Sequence, residues 1–139
     1  MSIATTDLKI NAALQRVQLI PDVLSDVTSS TLLQIIFKES GKEVLLGNNF
    51  TSVETKEQPT INLIALSESD YYTLVMMNPD APSRHDQKVA PWRHWIVVNI
   101  ADSDVKNSVS QAENHHTPYI GPGPGENTGI HRYTFLLYK

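Results

Sequence analysis

From Thr31 onward the chain is a succession of short runs rich in β-branched, aliphatic and aromatic residues, cut by turn-forming residues. This rhythm constrains the fold more than any other feature, because runs of this length with punctuation at this spacing read as strands. Candidate strands cover residues 31–38, 43–46 entered through Ser40-Gly41, 51–56 after Gly47-Asn48-Asn49, 59–66, 71–77, 94–101 and 131–138. Seven strands and one clear helical pattern predict a mainly β fold, an antiparallel β-sandwich with an N-terminal helix and few other helices. A chain of 139 residues buries roughly 65–70% of its unfolded surface, enough for one core and too little for two, so residues 1–139 are expected to form a single domain.

The helix is predicted from Ile10, Leu14, Val17 and Ile20, which recur at three- and four-residue spacing. Thr5 or Thr6 would cap it and Pro21 would end it, with Val23 and Leu24 pinning it to the next segment of the chain. The net charge is −4 and no long Lys/Arg run is present, so the electrostatic footprint of a nucleic-acid binder is missing. With no cysteine, disulfides, thiolate metal sites and a cysteine nucleophile are excluded together. The N-terminus lacks a basic region followed by an apolar one, and the expected location is cytoplasmic.

Two long segments break the strand rhythm, residues 78–93 and 102–130, and long aperiodic loops in compact domains are usually functional or disordered. In the first, Pro79 and Pro82 pre-organise the turn after strand 71–77, where Asp80 would fold back on backbone N–H groups or pair with Arg84. The second carries four of the six glycines, at 121, 123, 125 and 129, where backbone N–H groups could form an anion nest; its polar part, residues 103–116, reads as mobile loop. His85, His115 and His116 lie in polar sequence and read as solvated. His94 and His131 instead each follow a long loop and open an apolar strand, and alternation puts His131 and Tyr133 on one face. With Trp92 as an apolar wall, these groups would make a small polar pocket suited to phosphate or carboxylate.

These residues resemble the phosphatidylethanolamine-binding protein family, also called Raf kinase inhibitor-like proteins. The resemblance lies in the turn Asn78-Pro79-Asp80-Ala81-Pro82-Ser83-Arg84, in Trp92-Arg93-His94, and in the segment from Gly121 to His131-Arg132-Tyr133. Ile20-Pro21-Asp22-Val23-Leu24 and the closing Phe135-Leu136-Leu137-Tyr138-Lys139 are similar to fungal members. The family implies a sandwich that binds without catalysing, needs no cofactor, and accepts a phospholipid headgroup, phosphate or acetate in a pocket at one end. Carried over by position, that pocket comprises Asn78, Asp80, Pro82, Trp92, His94, Gly121, Gly123, His131 and Tyr133, with the Ala81–Pro82 bond cis. It also implies a role as regulator or inhibitor of a partner such as a serine carboxypeptidase or a signalling kinase, with at most peripheral membrane contact.

Three departures shape the expectations. Asn78 replaces an acid, which favours anions and weakens any hold on an ammonium group. Gly125 stands where a second proline is usual, loosening that wall. Family members usually continue beyond the strand ending at Tyr138, so the C-terminal extension is expected to be missing, leaving a wider site, an uncovered apolar patch and a tendency to self-associate. Two other readings stay open: a hydrolase using Asp80, His94 and His131 on a metal or Ser83 as nucleophile, and a degenerate scaffold without ligand affinity.

Overall fold

The computed structural model describes residues 3–25, 32–64, 71–101 and 114–139. Two helical segments, α1 (Ile3–Arg16) and α2 (Leu19–Asp22), precede seven strands: β1 (Leu32–Phe37), β2 (Lys42–Glu43), β3 (Thr60–Ile64), β4 (Tyr72–Asn78), β5 (Trp92–Ile100), β6 (His115–Thr117) and β7 (Thr134–Tyr138). They form two antiparallel sheets, ordered β2-β1-β3 and β6-β5-β4-β7. The expected mainly β sandwich is present. Its core joins Ile35, Phe37 and Ile61 of the first sheet to Tyr72, Leu74, Met76, Trp95, Val97 and Ile100 of the second. The inward residues of β4 recur at every second position, as a strand with one face on a core requires.

Several boundaries differ from the sequence-based expectation, each for a local reason. Residues 51–56 form turns, not a strand. Thr51 and Glu54 bond each other reciprocally: the Thr51 N–H donates to Glu54 Oε2 (2.7 Å) and the Glu54 N–H to Thr51 Oγ1 (3.3 Å). This Thr-x-x-Glu arrangement is a capping-box pattern, and it outcompetes the β propensity of Thr51, Val53 and Thr55. The expected strand 43–46 shrinks to the two residues of β2 because Asn48 takes over the backbone beyond it. Its Oδ1 accepts from the Leu45 N–H (2.7 Å) and its Nδ2 donates to the Glu43 carbonyl (2.9 Å).

The first helix runs through Thr5 and Thr6, so neither caps it, and it stops at Arg16, short of the expected Ile20. Gln18 turns left-handed at φ 57°, and Ile20, which precedes Pro21, is extended, as a residue before proline prefers. The Val17 and Gln18 carbonyls accept from Arg132 Nη1 at 3.2 and 2.8 Å. A cation thus satisfies carbonyls that a helix end leaves without partners. His115 and His116, expected in loop, belong to β6, where His115 Nδ1 accepts from the indole N–H of the buried Trp95 (3.0 Å). Of the expected polar loop, residues 103–113 lie outside the described residues.

A cavity of about 1760 Å³ opens between α1, β1 and β7. Leu14, Leu33, Phe37, Phe50 and Leu137 contribute to its walls, and its lining reaches His131 and Tyr133. Among the described residues, no helix is long and apolar enough to cross a membrane.

Candidate functional site

The buried alternation of β4 delivers Asn78 to the strand end with 5% of its surface exposed. Its Oδ1 accepts from the Asp80 N–H (2.8 Å), an Asx turn that fixes the amide orientation. Nδ2 then faces His131 Nδ1 at 3.1 Å. An amide nitrogen can only donate, so Nδ1 must accept and the ring proton sits on Nε2. That N–H meets Thr128 Oγ1 at 2.8 Å, and the Thr128 hydroxyl donates in turn to the Gly125 carbonyl (2.7 Å). The donor sequence from Asn78 through His131 and Thr128 to Gly125 therefore specifies one imidazole tautomer.

His94 arrives by a different device. In the β4–β5 ladder Met76 opposes Trp95 while Met77 opposes Arg93, which leaves His94 as the extra residue of a bulge. Bulges re-aim side chains, and here His94 and Trp95 are buried in succession where strict alternation would bury only one. The His94 Nδ1–H donates to the Ile120 carbonyl (2.7 Å), and the Ile120 N–H returns a bond to the His94 carbonyl (2.8 Å). Burial lowers the His94 pKa, against a smaller upward effect of the Ile120 bond.

The Tyr133 ring joins the two histidines, edge-on to His94 with centroids 5.1 Å apart and stacked on His131 at 6.4 Å. Burial raises the Tyr133 pKa, and the Asp80 charge adds to it. Among the described residues, neither the Tyr133 hydroxyl nor His94 Nε2 has a hydrogen-bond partner, and neither is a fully buried orphan. Two imidazoles and a phenol thus present one open acceptor and one open hydroxyl within a single cluster.

Asp80 is wholly buried, and it pairs with Arg132 instead of the expected Arg84. Arg132 Nη2 donates to Oδ1 (2.7 Å), Nε to Oδ2 (3.0 Å), and the Arg132 backbone N–H to Oδ2 (2.8 Å), while Gln87 Nε2 adds a bond to Oδ1 (3.1 Å). Burial pushes the carboxyl up, but the bonds and charge of Arg132, with Gln87, outweigh it and hold the pKa below the usual carboxylate value. Arg84 reaches across to Gln18 Oε1 instead (2.6 Å). Because Arg132 spends its backbone N–H on Asp80, β7 begins at Thr134 and not at His131 as expected.

The remaining expected residues divide. Gly121 owes its identity to packing: a Cβ there would lie 2.9 Å from the Thr55 carbonyl oxygen and 3.0 Å from that of Lys56. Gly123 has nothing within 4 Å of such a Cβ and lies open. Trp92 opposes Asn78 in the ladder but is 53% exposed, a rim residue and not a pocket wall. Pro82 is exposed, with the Ala81–Pro82 bond cis. The Ser83 hydroxyl accepts from the Asp86 N–H (3.1 Å), which fixes it within its own turn. With both Asp80 oxygens engaged, Asp80, His94 and His131 do not converge as ligands, and no metal-ligating group of three or more occurs among the described residues.

Arg132 and Thr128 are the site residues that sequence reasoning missed. The signal for Arg132 was its place between His131 and Tyr133, where alternation sends its side chain away from theirs. Thr128 lies three residues before His131, within reach across a turn that carries Asn127 at φ 60° and Gly129 at φ 78°.

Comparison with known proteins agrees with this fold. The family model for phosphatidylethanolamine-binding protein matches residues 27–139. A Drosophila melanogaster protein provisionally named odorant-binding protein A5 is 32% identical over 133 residues, which cover 96% of this chain and 60% of that relative's length. The carboxypeptidase Y inhibitor, solved in complex with its cognate proteinase, aligns with a TM-score of 0.79 at 25% identity, over 94% of this chain and 71% of that one. The phosphatidylethanolamine-binding protein of Plasmodium vivax aligns with a TM-score of 0.71 at 30% identity, over 91% and 68%.

Proposed function

Because the chain belongs to the phosphatidylethanolamine-binding protein family, we propose that it binds a small oxyanion, a phosphate or a phospholipid headgroup, without turning it over. The observation that carries this reading is the cluster of His94, Tyr133 and His131, whose rings meet within 5.1 and 6.4 Å at the mouth of an open glycine-proline loop. Imidazole and phenol groups beside unhindered backbone suit phosphate oxygens. Binding is favoured over hydrolysis because Ser83 Oγ is occupied by the Asp86 N–H and Asp80 by Arg132. Among the described residues, that leaves Ser83 without an adjacent base, Thr128 Oγ1 facing a protonated Nε2, and the Asp80 carboxylate taken up away from the rings.

Likeness to an inhibitor solved with its proteinase supports a further role as regulator of a partner protein, such as a serine carboxypeptidase or a kinase. The binding reading is tested by calorimetric titration of inorganic phosphate into the wild-type chain and His94→Ala, with thermal melts to verify folding. Saturable binding weakened at least about tenfold by the substitution is expected. Equal affinity in a folded variant would remove the ring cluster from the binding site.

A further inference from the structure

We infer that Asn78 makes this site selective for oxyanions without a cationic arm, a free phosphate or a lipid phosphomonoester, over zwitterionic headgroups. The inference rests on the oxyanion-binding function proposed for the ring cluster and concerns which member of that class is taken.

An ammonium group needs an anionic or strongly accepting partner when it leaves water. Asn78 supplies none: its Oδ1 is bonded to the Asp80 N–H and its Nδ2 is a donor facing His131. Asp80 supplies none either, since Oδ1 receives Arg132 Nη2, Arg132 Nε and Gln87, and Oδ2 receives the Arg132 backbone N–H and Nε. Asp22 is engaged by Arg132, and Asp86 by Lys88. Among the described residues, the carboxylates left on the loops nearest the rings are Glu126, exposed on the outer turn at residues 125–128, and Glu57, exposed and acting on Tyr119 rather than on the ring cluster.

The hydrogen-bond complement points the same way. Donation from Asn78 leaves the His131 proton on Nε2, shared with a threonine hydroxyl that a ligand oxygen could replace. Donation of the His94 Nδ1–H to Ile120 leaves its Nε2 as an acceptor. A partner that accepts from His131 and Tyr133 while donating one O–H to His94 is a singly protonated phosphate or phosphomonoester. A phosphodiester has no such O–H, and its ammonium-bearing forms add a charge that meets no free carboxylate within the ring cluster.

The experiment compares inorganic phosphate with phosphoethanolamine by calorimetry on the wild type, Asn78→Asp and Glu126→Gln, and reads the His131 ring by ¹⁵N NMR. Expected are wild-type binding of phosphate at least about tenfold tighter than phosphoethanolamine, the His131 proton on Nε2, and a ratio unchanged in Glu126→Gln. In Asn78→Asp the ratio moves toward phosphoethanolamine by about tenfold and Nδ1 gains a proton. Phosphatidylcholine vesicles doped with phosphatidic acid or with phosphatidylethanolamine separate the sources: retention by the first, with weak binding of free phosphate, assigns the lipid monoester.

Wild-type phosphate binding with equal or tighter phosphoethanolamine binding overturns this inference alone. A wild-type His131 proton on Nδ1, or loss of the preference in Glu126→Gln, does the same. No binding of either compound or of either vesicle by the wild type removes this inference and the binding reading together. These decisive outcomes do not require Asn78→Asp to fold.

Discussion

Replacing Arg132 with Met should unmask a buried charge, and the pH dependence of the damage identifies the cause. Asp80 has no exposed side-chain surface and Arg132 only 8%. The guanidinium supplies the Nη2 and Nε bonds to the carboxylate, and the substitution leaves only the residue-132 backbone N–H and Gln87. Removing one partner of such a pair costs about 3–5 kcal/mol, because the other charge stays buried. The arm to Asp22 adds little, since that carboxylate is 45% exposed and exposed pairs contribute about 0–1 kcal/mol. For a chain of this length the loss corresponds to a fall in Tm of about 10–20 °C.

The folded Asp80 pKa lies below its ordinary 3.8. In the wild type, therefore, the pair's stabilisation is complete above that value and is lost as pH falls through the lower, folded one. In Arg132→Met burial is opposed by less, the carboxyl titrates higher, and protonation relieves the buried charge. The stability gap between the chains should thus be widest near neutral pH and should narrow as the medium is acidified. Urea unfolding at a series of pH values reads the gap directly. Asp80→Asn provides the control: in that background Arg132→Met should cost at least about 1 kcal/mol less, as coupled neighbours do. A gap under about 1 kcal/mol at neutral pH, or one independent of pH, would refute the reasoning, since either implies that Asp80 is adequately solvated without its partner.

Gly121→Ala should destabilise the fold by about 1–3 kcal/mol, the usual cost of overpacking, because its Cβ would press on the Thr55 and Lys56 backbone. Gly123→Ala should stay within about 0.5 kcal/mol of wild type, having no atom within 4 Å to meet; thermal melts of the two variants distinguish packing from loop flexibility as the reason for these glycines. His115→Phe should cost about 1–3 kcal/mol in chemical denaturation by leaving the Trp95 indole N–H without its acceptor. Trp95→Phe in the same chain should recover part of the hydrogen-bond component, and full additivity of the two changes would contradict the bond's importance.

Much of the sandwich was legible because β1, β3, β4 and β7 follow simple rules: apolar runs of strand length, alternation, and turn residues between them. Alternation also put His131 and Tyr133 on one face, whereas Asn78 was expected in the pocket only from the family resemblance. These rules failed where the information was not periodic. At His94 one extra residue reverses the inside-outside alternation, and nothing in Trp92-Arg93-His94-Trp95 marks which residue is extra. At residues 51–54 side-chain bonds to the backbone decided the conformation, although Thr51 and Val53 taken singly favour a strand. The bonds of Arg132 reach Asp80, Asp22, Gln18 and Val17, 52 to 115 positions away, beyond any local pattern.

That long reach bears on how the site is held together. His131 and Tyr133 stack on one another, so the residue between them must project elsewhere, and the elsewhere is a buried carboxylate and the end of α1. An apolar side chain at that position would leave Asp80 charged and the Val17 and Gln18 carbonyls without their donor; a lysine would offer a single point charge where a planar fork makes several directed bonds. The tripeptide His131-Arg132-Tyr133 therefore performs two tasks with one backbone. Its outer residues contribute two rings to the cluster while its middle residue ties the Asp80 turn to the N-terminal helical segment. Because Asp80 also donates its backbone N–H to Asn78, a shift of the helix end would reach the His131 tautomer through consecutive hydrogen bonds. The geometry of the ring cluster thus depends on the docking of a segment that contributes none of its rings.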